Sequence, residues 1–255
     1  MSQSAFKKLM ALFLLGDERM IDIQGNDFYD QIKELGEKVT FTETGVVQYA
    51  SIKPNMLNKA IGTTDGAYWY TGVMTFDDMD QQEKFSGAYF KRETQPNSTL
   101  MLYSVFPENS TPKVAITHCV ECNEKVDIVS HYEDTGKINS YGEAIMRPVY
   151  AYKDVDVYYT TYTKEARDTL AGSMQETITY IMLPAKYALS SKNRIMKDTF
   201  VYDEVTHTNK LEKKPYQVES ADTSLMDIMD EGGEQKLVGI VKYLLKEAQE
   251  ENDGT

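Results

Sequence analysis

Between Thr177 and Leu245 apolar residues recur with a period of two, and proline and glycine cut the pattern into short pieces, which points this part of the chain to antiparallel β-structure. The run Ile178 to Leu183 is β-branched and aromatic, and Pro184 ends it because proline cannot donate to a sheet ladder. From Arg194 to Val205, Ile195, Lys197, Thr199 and Val201 alternate with Arg194, Met196, Asp198 and Phe200, as a strand requires. Thr206 to Lys214 is polar and reads as a turn region. Pro215 then opens Tyr216 to Ser220, which places Tyr216, Val218 and Ser220 on one face and Gln217 and Glu219 on the other. Asp230 to Glu234 contains Gly232-Gly233 and reads as a second turn. Leu237 to Leu245 fits a buried strand, but Leu237, Ile240, Val241, Leu244, Leu245 and Ala248 also make a helical stripe, so its type stays open.

Upstream, two segments carry helical spacing. Phe6, Leu9, Met10, Phe13 and Leu14 fall on one stripe after a cap at Ser2 or Ser4 and before Gly16, and this stripe must be covered by the same chain or by a neighbouring one. A shorter helix is expected over Phe28 to Leu35, stopped at Gly36. From Val39 the pattern changes to strands: a hairpin turning at Thr44-Gly45, an aromatic strand through Tyr68-Trp69-Tyr70, strands over Phe85 to Phe90 and Thr99 to Phe106, and another over Lys113 to Val120. Three more are expected over Lys125 to Tyr132, Ala144 to Tyr150 and Val155 to Tyr162, separated by Asp134-Thr135-Gly136 and by Lys153-Asp154. Thr163 to Leu170 reads as a helical turn or linker. The expected class is mainly β, with antiparallel sheets or a barrel, an N-terminal helix and a small C-terminal β-barrel unit. The expected organisation is a helical arm over residues 1–38, a β-rich domain over 39–172, a barrel-like unit over 173–248 and an acidic tail over 249–255.

Composition agrees with a packed β protein. Of 255 residues 41% are hydrophobic and 18 are tyrosine, too apolar and aromatic for a disordered chain. The net charge of -13 opposes sequence-independent nucleic-acid binding, which needs cations to displace counterions from phosphates. No apolar run is long enough for a membrane-spanning helix. The apolar stretch after Lys7-Lys8 passes directly into Gly16-Asp17-Glu18-Arg19 with no small-residue cleavage site, so a cytoplasmic chain is expected. Two cysteines make no disulfide framework.

Motifs for chemistry are few. His118, Cys119 and Cys122, with His131 further on, are the nearest approach to a metal set, but a fourth ligand is missing, and His118 and Cys119 face opposite ways in a strand, so packed, reduced thiols are expected. Asp77-Asp78-Met79-Asp80 starts like a calcium loop but has Gln82 and Ala88 where the glycine and the bidentate glutamate belong. There is no nucleophile elbow, phosphate-binding glycine loop or His-Glu-x-x-His, and no catalytic residue, metal or cofactor is expected. The Tyr68-Trp69-Tyr70 cluster leaves a β-rich binding module with an aromatic ligand or receptor surface as an alternative, and the many carboxylates leave a hydrolase as a weaker one.

The order of a strand ending in Leu183-Pro184, the Asn193-Arg194-Ile195 strand, the Pro215 to Ser224 return and the Gly239 to Glu247 ending resembles the small β-barrel of head-closure, or stopper, proteins in the neck of tailed bacteriophages. Two departures are that Asn193 stands where that family usually has Asp, and that the hairpin is longer. The resemblance implies a non-enzymatic ring subunit of the virion, assembled in the host cytoplasm. It would join the portal or an adaptor to tail proteins, and viral DNA would meet it only in passage. In such a ring the stripe of Phe6, Leu9 and Phe13 is a candidate contact. So are two connections of opposite charge expected to form outward tips, a basic one with Lys213 and Lys214 and an acidic one with Asp230 and Glu231.

Overall fold

The computed structural model describes residues 25–54, 69–77, 83–107, 113–168, 172–203, 206–231 and 233–248. The expected first helix, with Phe6, Leu9 and Phe13, lies outside them. The described chain is one α-helix and thirteen strands, mainly antiparallel β as expected. It divides into two compact units, one of residues 1–122, 183–186 and 223–241, the other of 123–182, 187–222 and 242–255. The boundary expected near Gly172 falls instead within a hairpin, and the first division comes after Cys122.

In the first unit, helix α1 (Gly25–Leu35) precedes β1 (Glu37–Phe41), β2 (Val47–Pro54), β3 (Trp69–Thr75), β4 (Tyr89–Arg92), β5 (Gln95–Pro107) and β6 (Val114–Glu121). These strands close into a barrel in the order β1-β2-β3-β6-β5-β4, sealed where Val39 to Phe41 pair with Arg92 to Phe90. Alternation decides what lies inside: Val39, Phe41, Ala50, Met74, Phe90, Leu100, Leu102 and Cys119 form one buried cluster. The opposite face of β3 and β6 is buried too, because Val73, Val114 and Ile116 pack with Ile32 of α1 and with Tyr29 and Tyr49. One amphipathic helix thus explains why β6 is buried at nearly every position. The expected strand over Phe85 to Phe90 is instead a 3-10 turn, Glu83–Phe85, followed by β4. The link expected over Glu93 to Ser98 shrinks to the turn Glu93-Thr94, with Gln95 onward in β5.

The same unit includes the hairpin of β12 (Met226–Glu231) with the first half of β13 (Glu234–Glu247). β13 is a strand, which resolves its open type. The hairpin meets Ser86-Gly87 closely: the Gly239 amide donates to Ser86 O at 2.8 Å, and a Cβ on Gly87, whose φ is +82°, would stand 2.0 Å from Gly239 O. Only glycine fits there. Asp227 to Asp230, expected in an acidic loop, is strand, and its free edge is blunted: the Ile228 amide donates to Asp227 Oδ1 at 2.8 Å and the Met226 amide to Thr223 O at 3.0 Å.

The second unit is built from β7 (Glu124–Ile138), β8 (Ala144–Asp168), β9 (Gly172–Pro184), β10 (Arg194–Asp203), β11 (Thr208–Asp222) and the end of β13. Their order is β11-β10-β7-β8-β9-β13, and β11 also pairs with β13, so the sheet returns on itself. Its buried residues include Val126, Ile128, Val157, Tyr180, Ile195, Tyr216, Val218 and Leu245.

Three expected breaks are absent. Asp134-Thr135-Gly136 lies within β7 as a bulge, Gly136 having φ +71°, and the turn comes later at Asn139 to Glu143. Lys153-Asp154 lies within a continuous β8, where Asp154 adopts φ +53° and its amide donates to Asp127 Oδ1 at 2.9 Å. Thr163 to Asp168 is strand, paired with Gly172 to Thr177.

Candidate functional site: exposed faces of two hairpin arms

Strands of the second unit outrun their neighbours. β10 pairs with β7 only over Arg194 to Lys197, and β11 pairs with β13 only from Tyr216, so among the described residues Asp198–Asp203 and Thr208–Lys213 form a two-stranded ribbon with no third strand beside it. The β7–β8 pair likewise continues past Val129 to the turn at Asn139. These two extensions are called arms below.

The first arm displays an apolar face. Phe200 lies opposite Leu211, and Tyr202, two residues on, opposite Asn209, so all four share one side of the ribbon. Phe200 is 74% exposed, and Tyr202 and Leu211 are 58% exposed. The tip of the second arm carries Ile138 at 71% and Tyr141 at 87% exposure. This tip is held firmly: Asn139 Oδ1 accepts the amides of Tyr141 and Glu143 at 3.0 and 2.9 Å, the Asn139 amide donates to Glu143 O at 2.8 Å, and Gly142 takes φ +82°. No other large apolar side chain among the described residues is as exposed as Tyr141, Phe200 and Ile138. Apolar groups that lie side by side on the exposed face of an ordered ribbon are candidates for a contact surface.

The charged residues singled out in the sequence are placed differently from expectation. The stretch Thr206 to Lys214 is not a loop: only Thr206 and His207 are turn, and Lys213 and Lys214 lie in β11, opposite Asp198 and Lys197. Lys213 pairs with buried Asp127, and Lys214 donates to Glu247 Oε1 at 2.8 Å. Burial alone would push the Asp127 carboxyl up, but the Lys213 hydrogen bond, the Asp154 amide and the charges of Lys213 and Lys153 outweigh it and hold it below the usual carboxylate range. The hydrogen bond from Lys213 to Asp127 raises the lysine in turn. Asp230 closes the acidic turn by accepting the Gly233 amide at 2.8 Å, and Glu231 is described only in its backbone, at the end of β12.

Cys119 is wholly buried inside the closed barrel, and burial pushes its thiol up to about 12 despite the Arg92 charge, so it is an inert packed group. Cys122 is also unbridged, and among the described residues no three His, Cys, Asp or Glu side chains converge on a metal-sized space. Asp77 accepts from Tyr29 Oη at 3.1 Å and from Gln48 Nε2 at 3.3 Å. Of the aromatic cluster, Tyr70 is buried, with its hydroxyl donating to Glu121 Oε2 at 2.8 Å, while the side chains of Tyr68 and Trp69 lie outside the described residues.

Two arrangements resemble chemistry. Ser130 Oγ lies 2.8 Å from His131 Nδ1, and His131 Nε2 lies 3.5 Å from Glu133 Oε1. The Ser130 hydroxyl also has Val149 O at 3.0 Å as an acceptor, and Glu133 is held by Arg147 at 2.9 Å. In the first unit a cleft of about 420 Å³ is lined by Lys84, Gly87, Pro184, Lys186, Lys236 and Val238, with Glu43 at its side. Lys186 is ion-paired with Glu43 and lies 5.4 Å from the Tyr89 ring, and burial lowers its pKa.

No known family matches the chain, and neither the curated proteins nor the solved structures compared with it include a similar one. No helix among the described residues is long and apolar enough to cross a membrane.

Proposed function

We propose that this chain is a non-enzymatic structural subunit that assembles with copies of itself into a ring in the neck of a tailed phage, between the portal or adaptor and the tail proteins. The observation that carries the reading is the display of Phe200, Leu211, Tyr202, Ile138 and Tyr141 on ribbons that no other strand of their sheet covers. A monomer gains nothing from exposing such groups, whereas a subunit of a larger assembly buries them in its joints. The net charge of -13 suits a channel that lets DNA slide without holding it. On this reading the protein resides in the virion, and it needs no cofactor or catalytic group.

A binding module is the second reading, favoured by the cleft beside Lys84 and Lys186. Electron microscopy of the purified full-length chain separates the two. The neck reading expects closed rings of uniform subunit number that also dock onto portal or tail particles. Monomers at every concentration, with no such docking, would contradict it.

A further inference from the structure

The two arms carry different apolar groups, one set across paired strands and the other at a turn, and the geometry points to a head-to-tail joint in which the Ile138–Tyr141 tip of one copy seats on the Phe200–Tyr202–Leu211 face of the next copy. This deepens the ring reading and rests on it. A ring of more than two subunits needs two different surfaces on each chain, because a patch that binds itself closes as a dimer. The two arms supply the most exposed apolar pair of surfaces in the second unit. The tip suits insertion because its turn is fixed before contact by the Asn139 hydrogen bonds, so little ordering remains to be done on binding.

Charge and area favour a second copy as the occupant. The chain as a whole carries -13, so two copies repel, but the segment Lys197 to Lys214 balances Lys197, Lys210, Lys213 and Lys214 against Asp198, Asp203, Glu204 and Glu212. Between His131 and Arg147 the second arm sets Lys137 and Arg147 against Glu133, Asp134 and Glu143, close to neutral as well. Copies can therefore meet at the arms without the penalty carried by the rest of their surfaces. A buried aromatic side chain contributes roughly 150–250 Å². With one aromatic and one aliphatic group on the tip and two aromatic and one aliphatic on the face, each side stays below the ~800 Å² per partner of a self-sufficient interface. One joint is thus weak, and a closed ring, in which every subunit makes two, is the arrangement that makes such joints last.

The test uses the full-length chain in a Cys122→Ser background. Tyr141→Cys and Leu211→Cys are prepared singly, mixed under mild oxidation and resolved without reductant, alongside sedimentation of the unmodified chain and of Phe200→Ser. The proposal expects cross-linked dimers only in the mixture of the two variants. It also expects the half-assembly concentration of Phe200→Ser to rise about tenfold or more, as for a central anchor residue. If Leu211→Cys cross-links with itself, the joint is two-fold and the proposal is wrong. If the unmodified chain forms rings but the mixture does not cross-link and Phe200→Ser assembles normally, the joint lies elsewhere while the ring reading stands. If the unmodified chain never associates, both fall.

Discussion

The two β units use their strands in different ways. In the closed barrel of the first unit the apolar positions go inward to the cluster around Phe41, Phe90 and Leu102, and those on the other side of β3 and β6 are covered by α1. In the second unit the strands run on past the point where a third strand supports them, and Phe200, Leu211 and Ile138 have no such cover. The difference teaches that strand length here is not set by core packing alone. A barrel needs strands only long enough to fill its interior, and continuing them as two-stranded ribbons adds backbone ordering with little burial in return. The exposed face of the first ribbon is accordingly expected to tolerate change, whereas Lys213 at its base is tied to buried Asp127.

The sharpest contrast is in stability. Phe41→Ala removes a side chain that is 1% exposed at the centre of the first barrel and should cost about 3–5 kcal/mol in denaturant unfolding. A loss below about 1 kcal/mol would mean that the barrel is not the packed core described. Next is Asp127→Ala, which leaves the Asp154 amide and the Lys213 ammonium without their acceptor. Its cost should be about 1–3 kcal/mol, towards the lower end because Lys213 is nearly half exposed and screened by water.

The same pair predicts a pH dependence. Asp127 is held below its unfolded value, so its contribution is complete above the unfolded pKa of about 4 and is lost as pH falls through the lower folded value. Lys213 is raised, so its contribution is complete below the unfolded pKa of about 10 and is lost as pH climbs through the higher folded value. Asp127→Asn should flatten the acid limb of the stability profile, and an unchanged acid limb would show that the pair is not what holds the β8 bulge. The smallest effect belongs to the arm. Phe200→Ser should leave stability within about 0.5 kcal/mol of the unmodified protein, because it removes little burial from the free subunit. A loss comparable to that of Phe41→Ala would place the arm in the core and end the comparison.

What the sequence made legible follows the same division. Wherever a strand is buried, its apolar pattern is visible, alternating where one face is covered and nearly continuous where both are: the hairpin turning at Thr44-Gly45, the run through Met74, Val114 to Val120, Ile178 to Leu183 and Tyr216 to Val218 are all found as strands. A stretch made almost wholly of polar and charged residues carries no such signal. The polar stretches at Thr206 to Lys214 and Asp227 to Gln235 therefore read as loops, although both are largely strand. Gly136 and Asp154 gave true signals of unusual backbone, but both are satisfied by bulges in continuous strands rather than by turns. The proposed charge partners were legible as charges only. No feature of Lys213 in the sequence shows that Asp127, far upstream, takes it up through the β7–β10–β11 pairing. The exposed pair Phe200 and Leu211 could have been found by aligning the two strands about their shared turn, a step that needs the register.

Amide hydrogen exchange of the full-length chain, measured dilute and concentrated, tests most directly the proposal that the arms are joints while the barrel is core. In dilute protein the account predicts slow exchange at Val73, Phe90 and Ile116 and fast exchange across Asp198–Asp203 and Thr208–Lys213, whose ladder is supported on one side only. On concentration the arm amides should become protected while the barrel amides stay as they were. Arm amides as slow as the barrel in dilute protein, or unchanged once the chain has assembled, would contradict it.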